Sequence, residues 1–491
     1  MFSILKANRF FILVIVLLNF VVFSPVLFND FVSADDRAGY VENSSLLNLG
    51  NNMKTGQIGS ITFSFLKNTV GNNPFPIHLL SLVLHTFITI LVFLFTYLVF
   101  RKNVSAIATL LFAIHPVNVE PVAWMSAAGY LFSTLFLLIP LLLYVNYKEN
   151  NDKRYVAASL LVYIIGIFTT TSVWLFSLPI IILALEFFIW DKKIDLHKIV
   201  KTIPYFVVIG FTYFAFIGQL SSERINILQT TYNFNSADST PWLNRLPYTF
   251  YMIFKLLLFP DHLSIFHEGQ IIGESFYTFM ILFTIALIPL LFILLKRSRI
   301  AAGLLLLILI PMYPTFSPVQ VAFFIAERYL YVSSIFFSIL VAITLLSIQT
   351  KIGDKYKHFA LVATLLILSA YGAKTFTRTM DWKNSRALWE ATSKTAPLSP
   401  RVFNNLGDAY STEGNEDAAI GAFSRAVEIN PNYVEAIHNL GTVYVKIGQY
   451  EIAEQFFKKA LEINPQYEGA EKARQILEAL QKRTQNTTGQ E

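Results

Sequence analysis

Cysteine is absent from the chain, which excludes disulfides and thiolate metal sites and leaves the redox compartment unreadable from this residue type. Charge is scarce: Asp, Glu, Lys and Arg make up 14% of the 491 residues, less than a soluble chain needs to cover its surface. There is no phosphate-cradling Gly-rich loop and no Walker-type lysine, so a donor requiring cytoplasmic nucleotide binding is not expected. No Ser, Cys or His triad pattern is identifiable either. The net charge is +6, but the basic residues of the apolar part sit in short loops between apolar runs. That bias is a topology signal, and no nucleic-acid partner is expected.

What is abundant is apolar surface: 54% hydrophobic residues, 45 of them Phe, and a mean hydropathy of +0.52. The composition changes near Thr375, from a succession of apolar runs to charged residues and Ala at helical spacing. The expected fold is all-α: a polytopic membrane helix bundle of about 11 spans over residues 1–376, followed by a short C-terminal tetratricopeptide-repeat solenoid over 377–491. The candidate spans are 10–28, 78–99, 104–118, 126–146, 155–171, 173–190, 203–220, 276–295, 300–315, 328–348 and 359–376. The first resembles a secretory signal, but no small-residue cleavage site follows closely, so it reads as an uncleaved anchor with its N-terminus inside.

The basic clusters at Arg101–Lys102, Lys148 to Arg154, Lys192 to Lys201, Lys296 to Arg299 and Lys351 to Lys357 are expected on the cytoplasmic face. An odd number of crossings then puts the C-terminal domain outside. The apolar stretch 246–259 contains Lys255 and stops at Pro260. Counted as a span it would invert the next basic cluster, so it is expected to be an interfacial or half-buried helix. The protein is expected to be multi-pass, in the plasma membrane with the tail outside, or in the endoplasmic reticulum with the tail lumenal.

In the tail, Leu406, Gly407, Tyr410, Ala419, Phe423, Ala426 and Pro431 recur as Leu440, Gly441, Tyr444, Ala453, Phe457, Ala460 and Pro465, each 34 positions later. That period is the signature of tetratricopeptide repeats. A capping helix is expected over 384–395, repeats over about 400–433 and 434–467, and a closing helix over 468–482. Such arrays bind polypeptides on their concave face. Asn405 and Asn439, about one period apart, are either two rungs of an amide ladder against an acceptor peptide or simply common residues at this place in the repeat.

Several polar constellations fall on the outer face. Asp35 and Asp36 follow the first span; adjacent carboxylates resist joint ionisation, so one can serve as a base while the other holds a donor phosphate through a divalent metal. The alternative is a pair of solvated loop acids, or a helix N-cap. His115 and Glu120 lie in a turn bracketed by Pro116 and Pro121; their spacing is loose for metal and suits substrate positioning. Glu327 and Arg328 open a late span, where an Arg can pair with a lipid phosphate or snorkel beside Tyr329 and Tyr331. Arg245 and the 259–264 segment belong to the same outer face. His78 and His85 share one face of the second span, and a core histidine is the plainer reading there.

The acidic pair, the segment Leu111-Phe112-Ala113-Ile114-His115-Pro116-Val117-Asn118-Val119-Glu120-Pro121-Val122-Ala123-Trp124, the Pro260 to Ser264 segment, the Glu327 to Tyr331 segment and the trailing repeats resemble the transmembrane and tetratricopeptide-repeat O-mannosyltransferases and their prokaryotic relatives. The resemblance implies a GT-C type glycosyltransferase that transfers a sugar, often mannose, from a polyprenyl-phosphate donor to protein Ser or Thr hydroxyls on the non-cytoplasmic side. It further implies Asp35 or Asp36 as base, Arg328 on the donor phosphate, His115, Glu120, Glu327 and Arg245 shaping the sugar or acceptor site, and repeats that present a polypeptide. The chain departs from the family pattern after Trp124, reading Ser126-Ala127-Ala128-Gly129-Tyr130, and at Thr169 to Val173, where the family usually carries charges. A non-catalytic membrane scaffold whose repeats recruit an envelope or secretion partner is the alternative.

Overall fold

Long runs of Leu, Ile, Phe and Val without interior charge satisfy their backbone polar groups only as helices once removed from water, and helices are what the chain forms. The computed structural model describes all residues except 101, 171, 191–199, 213–241, 268–272, 317–324, 354–355, 468 and 489–491. Contacts divide the chain into two compact units: Met1–Ile265 with Ile272–Lys383, and Phe266–Ile271 with Asn384–Glu491. The last helix of the first unit runs Phe359–Asp381, so the expected boundary at 376/377 falls inside it.

Eight helices among the described residues are long and apolar enough to cross a membrane, beginning with Phe75–Val99 and ending with Phe359–Asp381. A ninth candidate is the pair Lys102–Ala113 and Pro116–Ala123, apolar enough when taken together as one bent span. The other two of the eleven expected spans coincide with shorter apolar helices, Arg9–Val22 and Val200–Thr212, and residues 213–220 of the latter span lie outside the described residues. The stretch expected at the interface forms the helix Trp242–Leu258. It buries Tyr248, Thr249, Met252, Ile253, Leu256 and Leu257, two adjacent residues in every four, which is one face of a helix.

The bend in the pair is 53° and starts at His115-Pro116, where proline cannot donate a backbone hydrogen bond. The carbonyls around the break are taken by side chains instead. His85 Nε2 meets the Ala113 oxygen at 2.9 Å, Thr375 Oγ1 donates to Ile114 at 2.7 Å, and Asn118 Nδ2 donates to Phe112 at 2.7 Å. His85 also meets the Tyr331 hydroxyl at 2.6 Å, so it is a core residue joining three helices.

In the second unit the helices Ser385–Thr395, Pro400–Thr412, Glu416–Ile429, Val434–Lys446, Tyr450–Ile463 and Ala470–Thr488 follow one another as antiparallel neighbours. Gly407 is required by packing: a Cβ there would lie 2.6 Å from the Phe423 ring, so any side chain forces the two helices of the repeat apart. The same relation recurs between Gly441 and Phe457 at 3.0 Å. The all-α architecture of apolar spanning helices with repeats at the C-terminus is therefore as the sequence predicts.

Candidate functional site

The site is built from the short segment between the bend and the next span. Val119–Ala123 is one helical turn that carries Glu120, and Trp124 ends it in an extended conformation. Glu120 is fully buried and forms an ion pair with the Arg328 guanidinium, while the Arg328 backbone N–H donates to its other oxygen at 2.8 Å. A buried pair of this kind holds only when hydrogen bonds satisfy both partners. The guanidinium is clad by the rings of Trp124 and Tyr329, each 5.0 Å from its carbon.

Glu327, next in sequence, faces a different partner. It is fully buried, accepts the Ser264 backbone N–H, and pairs with Arg378 at 3.3 Å. Arg378 also reaches Asp381 at 3.1 Å. Two arginines and three carboxylates thus alternate within the layer at the start of the Glu327–Ile352 span. Arg378 Nε and the indole N–H of Trp382 are buried there without a hydrogen-bond partner among the described residues.

Beside Arg328 opens a narrow cleft lined by Tyr130, Thr134, Leu137, Trp174, Tyr329 and Val332. The rings of Trp174 and Tyr329 lie 5.1 Å apart and those of Tyr130 and Tyr329 6.0 Å apart. One cation thus lies at an aromatic and aliphatic wall.

The acidic pair is split. Asp35 takes a left-handed φ of 72°, which Asp tolerates better than most residues, and the turn leaves Asp35 exposed while Asp36 is buried. Asp36 Oδ1 accepts the backbone N–H of Ser126 at 3.0 Å and its hydroxyl at 2.6 Å; Oδ2 accepts the Val32 N–H at 3.3 Å. Burial outweighs these bonds and pushes the Asp36 carboxyl up to about 7, with the nearby charge of Asp35 adding to the rise. Trp124 links this group to the arginine: its indole N–H donates to the Ala34 carbonyl at 2.6 Å, and its ring lies under Arg328.

The remaining predicted residues are placed elsewhere. His115 is buried with Nε2 at 3.0 Å from the Leu257 carbonyl and Nδ1 accepting from the Val117 N–H, so its imidazole anchors the Trp242–Leu258 helix and presents no free nitrogen. Arg245 is half-buried on that helix, its carbonyl accepting from Thr249. Asn439 donates to Asn404 at 3.0 Å, and both Asn405 and Asn439 are half-buried. No group of three or more His, Asp or Glu side chains converges among the described residues.

The structure adds Ser126, Arg378, Tyr130 and Trp174. Arg378 had a readable signal, a cation near the end of an apolar helix, which a boundary drawn at 376 assigns to the soluble tail. Ser126, in contrast, is an ordinary residue whose position depends on a segment 90 residues away.

Comparison with known proteins follows this geometry. Residues 434–467 match the tetratricopeptide repeat model, and residues 407–448 match a second repeat model of that kind. The chain is similar to protein O-mannosyl-transferase TMTC3 of Homo sapiens, 24% identical over 399 residues covering 74% of this chain and 43% of the relative. The Mus musculus protein of that name is 26% identical over the same coverage. Protein O-mannosyl-transferase F38B6.6 of Caenorhabditis elegans is 26% identical over 345 residues, 67% of this chain and 46% of the relative. The chain spans less than half the length of these relatives, and the likeness read from its motifs is borne out.

Proposed function

We propose that the protein is a polytopic membrane glycosyltransferase that moves a sugar from a polyprenyl-phosphate donor to Ser or Thr hydroxyls of a polypeptide on the non-cytoplasmic face. The sugar is mannose by analogy with the names of its relatives. The observation that carries the reading is Asp36: a buried carboxyl with a pKa near 7, joined through Trp124 to a clad arginine at an apolar cleft. A base poised near neutrality and a cation for the departing phosphate are the two groups this transfer needs.

In this mechanism Asp36 takes the proton of the acceptor hydroxyl as its oxygen bonds to the anomeric carbon. The bond from that carbon to the phosphate oxygen breaks, and its electron pair leaves with the polyprenyl phosphate. Arg328 stabilises the charge that develops on the leaving phosphate; Glu120 holds the guanidinium, and Glu327 with Arg378 fixes the backbone on which it sits. Asp35, on the exposed side of the turn, is not the base. The repeats, through the surface that bears Asn405 and Asn439, hold the acceptor.

The test is transfer from polyprenyl-phosphate mannose to Ser/Thr peptides by the purified protein in liposomes. Asp36→Asn should lose at least 100-fold in rate, within the ~10²–10⁴ expected of a general base, while Asp35→Asn stays near wild type. Wild-type rates in Asp36→Asn would remove the carboxylate from the mechanism. A protein that binds partners and transfers from no lipid-linked sugar would be a scaffold.

A further inference from the structure

The contacts between residues 34–36 and 124–126 go beyond a single bond. Trp124 donates to Ala34 at 2.6 Å, and Ser126 donates twice to Asp36 Oδ1, at 3.0 Å from the backbone and 2.6 Å from the hydroxyl. One short stretch therefore grips the acidic turn at two points, and the same stretch puts its indole under Arg328. The resemblance leads one to expect charged residues after Trp124; this chain has Ser126 there instead.

We infer that Ser126 is a positioning residue: its hydroxyl aims one oxygen of Asp36 and leaves the other as the proton acceptor. This rests on the reading of Asp36 as the base. The geometry distinguishes the two oxygens. Oδ1 is saturated by both Ser126 donors, whereas among the described residues Oδ2 has the longer 3.3 Å contact from Val32 alone and keeps a lone pair for an incoming hydroxyl. Asp35 is the charged group that acts on Asp36. Arg37 is turned to Glu42 at 3.4 Å, and on the Ser126 side the nearest ionisable groups along the chain and at the Trp124 ring are Tyr130 and Arg328.

The inference is tested on full-length protein with Ser126→Ala and Ser126→Thr, reading two quantities. Infrared titration of the protonated carboxyl, with Asp36→Asn as the blank, follows Asp36 directly. The acid limb of kcat/KM for transfer from polyprenyl-phosphate mannose follows the base. A hydroxyl bonded to the charged form holds the pKa down, so Ser126→Ala should move both midpoints up by about one pH unit, with peptide KM unchanged, and Ser126→Thr should restore them. An infrared midpoint that stays put in Ser126→Ala overturns the role of the hydroxyl and leaves Asp36 standing as the base. An infrared midpoint that moves while the rate profile does not removes Asp36 from the reaction, and the positioning role with it.

Discussion

At the scale of single residues, Asp36 has a thermodynamic signature independent of any substrate. Its folded pKa, about 7, lies above the ~3.9 of an unfolded Asp, so the folded state binds the proton more tightly. The stabilisation this gives is fully present below about pH 4 and is lost as pH rises toward 7, at about 1.4 kcal/mol per pH unit. Asp36→Asn has no such ionisation. The apparent melting temperature of the wild type in detergent should therefore fall relative to Asp36→Asn between about pH 4 and 7, and run parallel to it above. A constant difference across that range would mean that Asp36 titrates as an ordinary surface carboxylate. Adjacent acids in the sequence suggest a joint site; the left-handed φ at Asp35 divides them, and no spacing argument could have chosen between them.

Elements show a different balance between what is legible in the sequence and what is not. The apolar runs and the repeats are written in local patterns, so their positions follow from counting: Gly407 under Phe423 is what the 34-residue period demands. The bend at His115-Pro116 was visible as a turn, but its support was not, because the side chains that satisfy it come from helices far away in sequence. His85 is 28 residues away and Thr375 is 261. A histidine expected to shape a substrate site instead binds the Leu257 carbonyl, since a backbone acceptor from an amphipathic helix has no sequence signature. Asn118 is the most exacting of these supports, donating to Phe112 and accepting from Ser334 at 3.2 Å. Asn118→Leu should take from the Phe112 carbonyl its 2.7 Å bond, leaving it the 3.3 Å backbone N–H of His115, and lower stability by about 0.5–1.5 kcal/mol, read as a drop in apparent melting temperature, whereas Asn118→Gln should recover part of it. A leucine variant as stable as the wild type would show that the bend satisfies itself in another way.

For the whole molecule, the absence with which the sequence opens becomes an experimental asset. A chain without cysteine accepts single cysteines with no background, and three exposed positions decide its topology: Glu42, Asn150 and Thr412. Among the described residues eight helices qualify as spans by length and composition and the bent pair is a candidate ninth, while Arg9–Val22 and Val200–Thr212 are shorter. If all of these cross, the count is odd, and the positive-inside bias predicts the N-terminus inside and the repeats outside. A membrane-impermeant maleimide added to intact cells should label Glu42→Cys and Thr412→Cys, and should reach Asn150→Cys only after permeabilisation. The two outer positions test different things. Position 42 reports whether Arg9–Val22, at 14 residues, crosses with the help of the residues that follow it. Position 412 reports the parity of the crossings between it and position 42, including Val200–Thr212 and the Trp242–Leu258 helix. Labelling at 42 without labelling at 412 would make the later count odd, so that either the shorter helix stays on one side or the amphipathic one crosses, and the repeats would then lie across the membrane from Asp36. The proposed transfer needs base, leaving-group cation and acceptor-binding repeats on one face, so that single labelling pattern would overturn it without an enzyme assay.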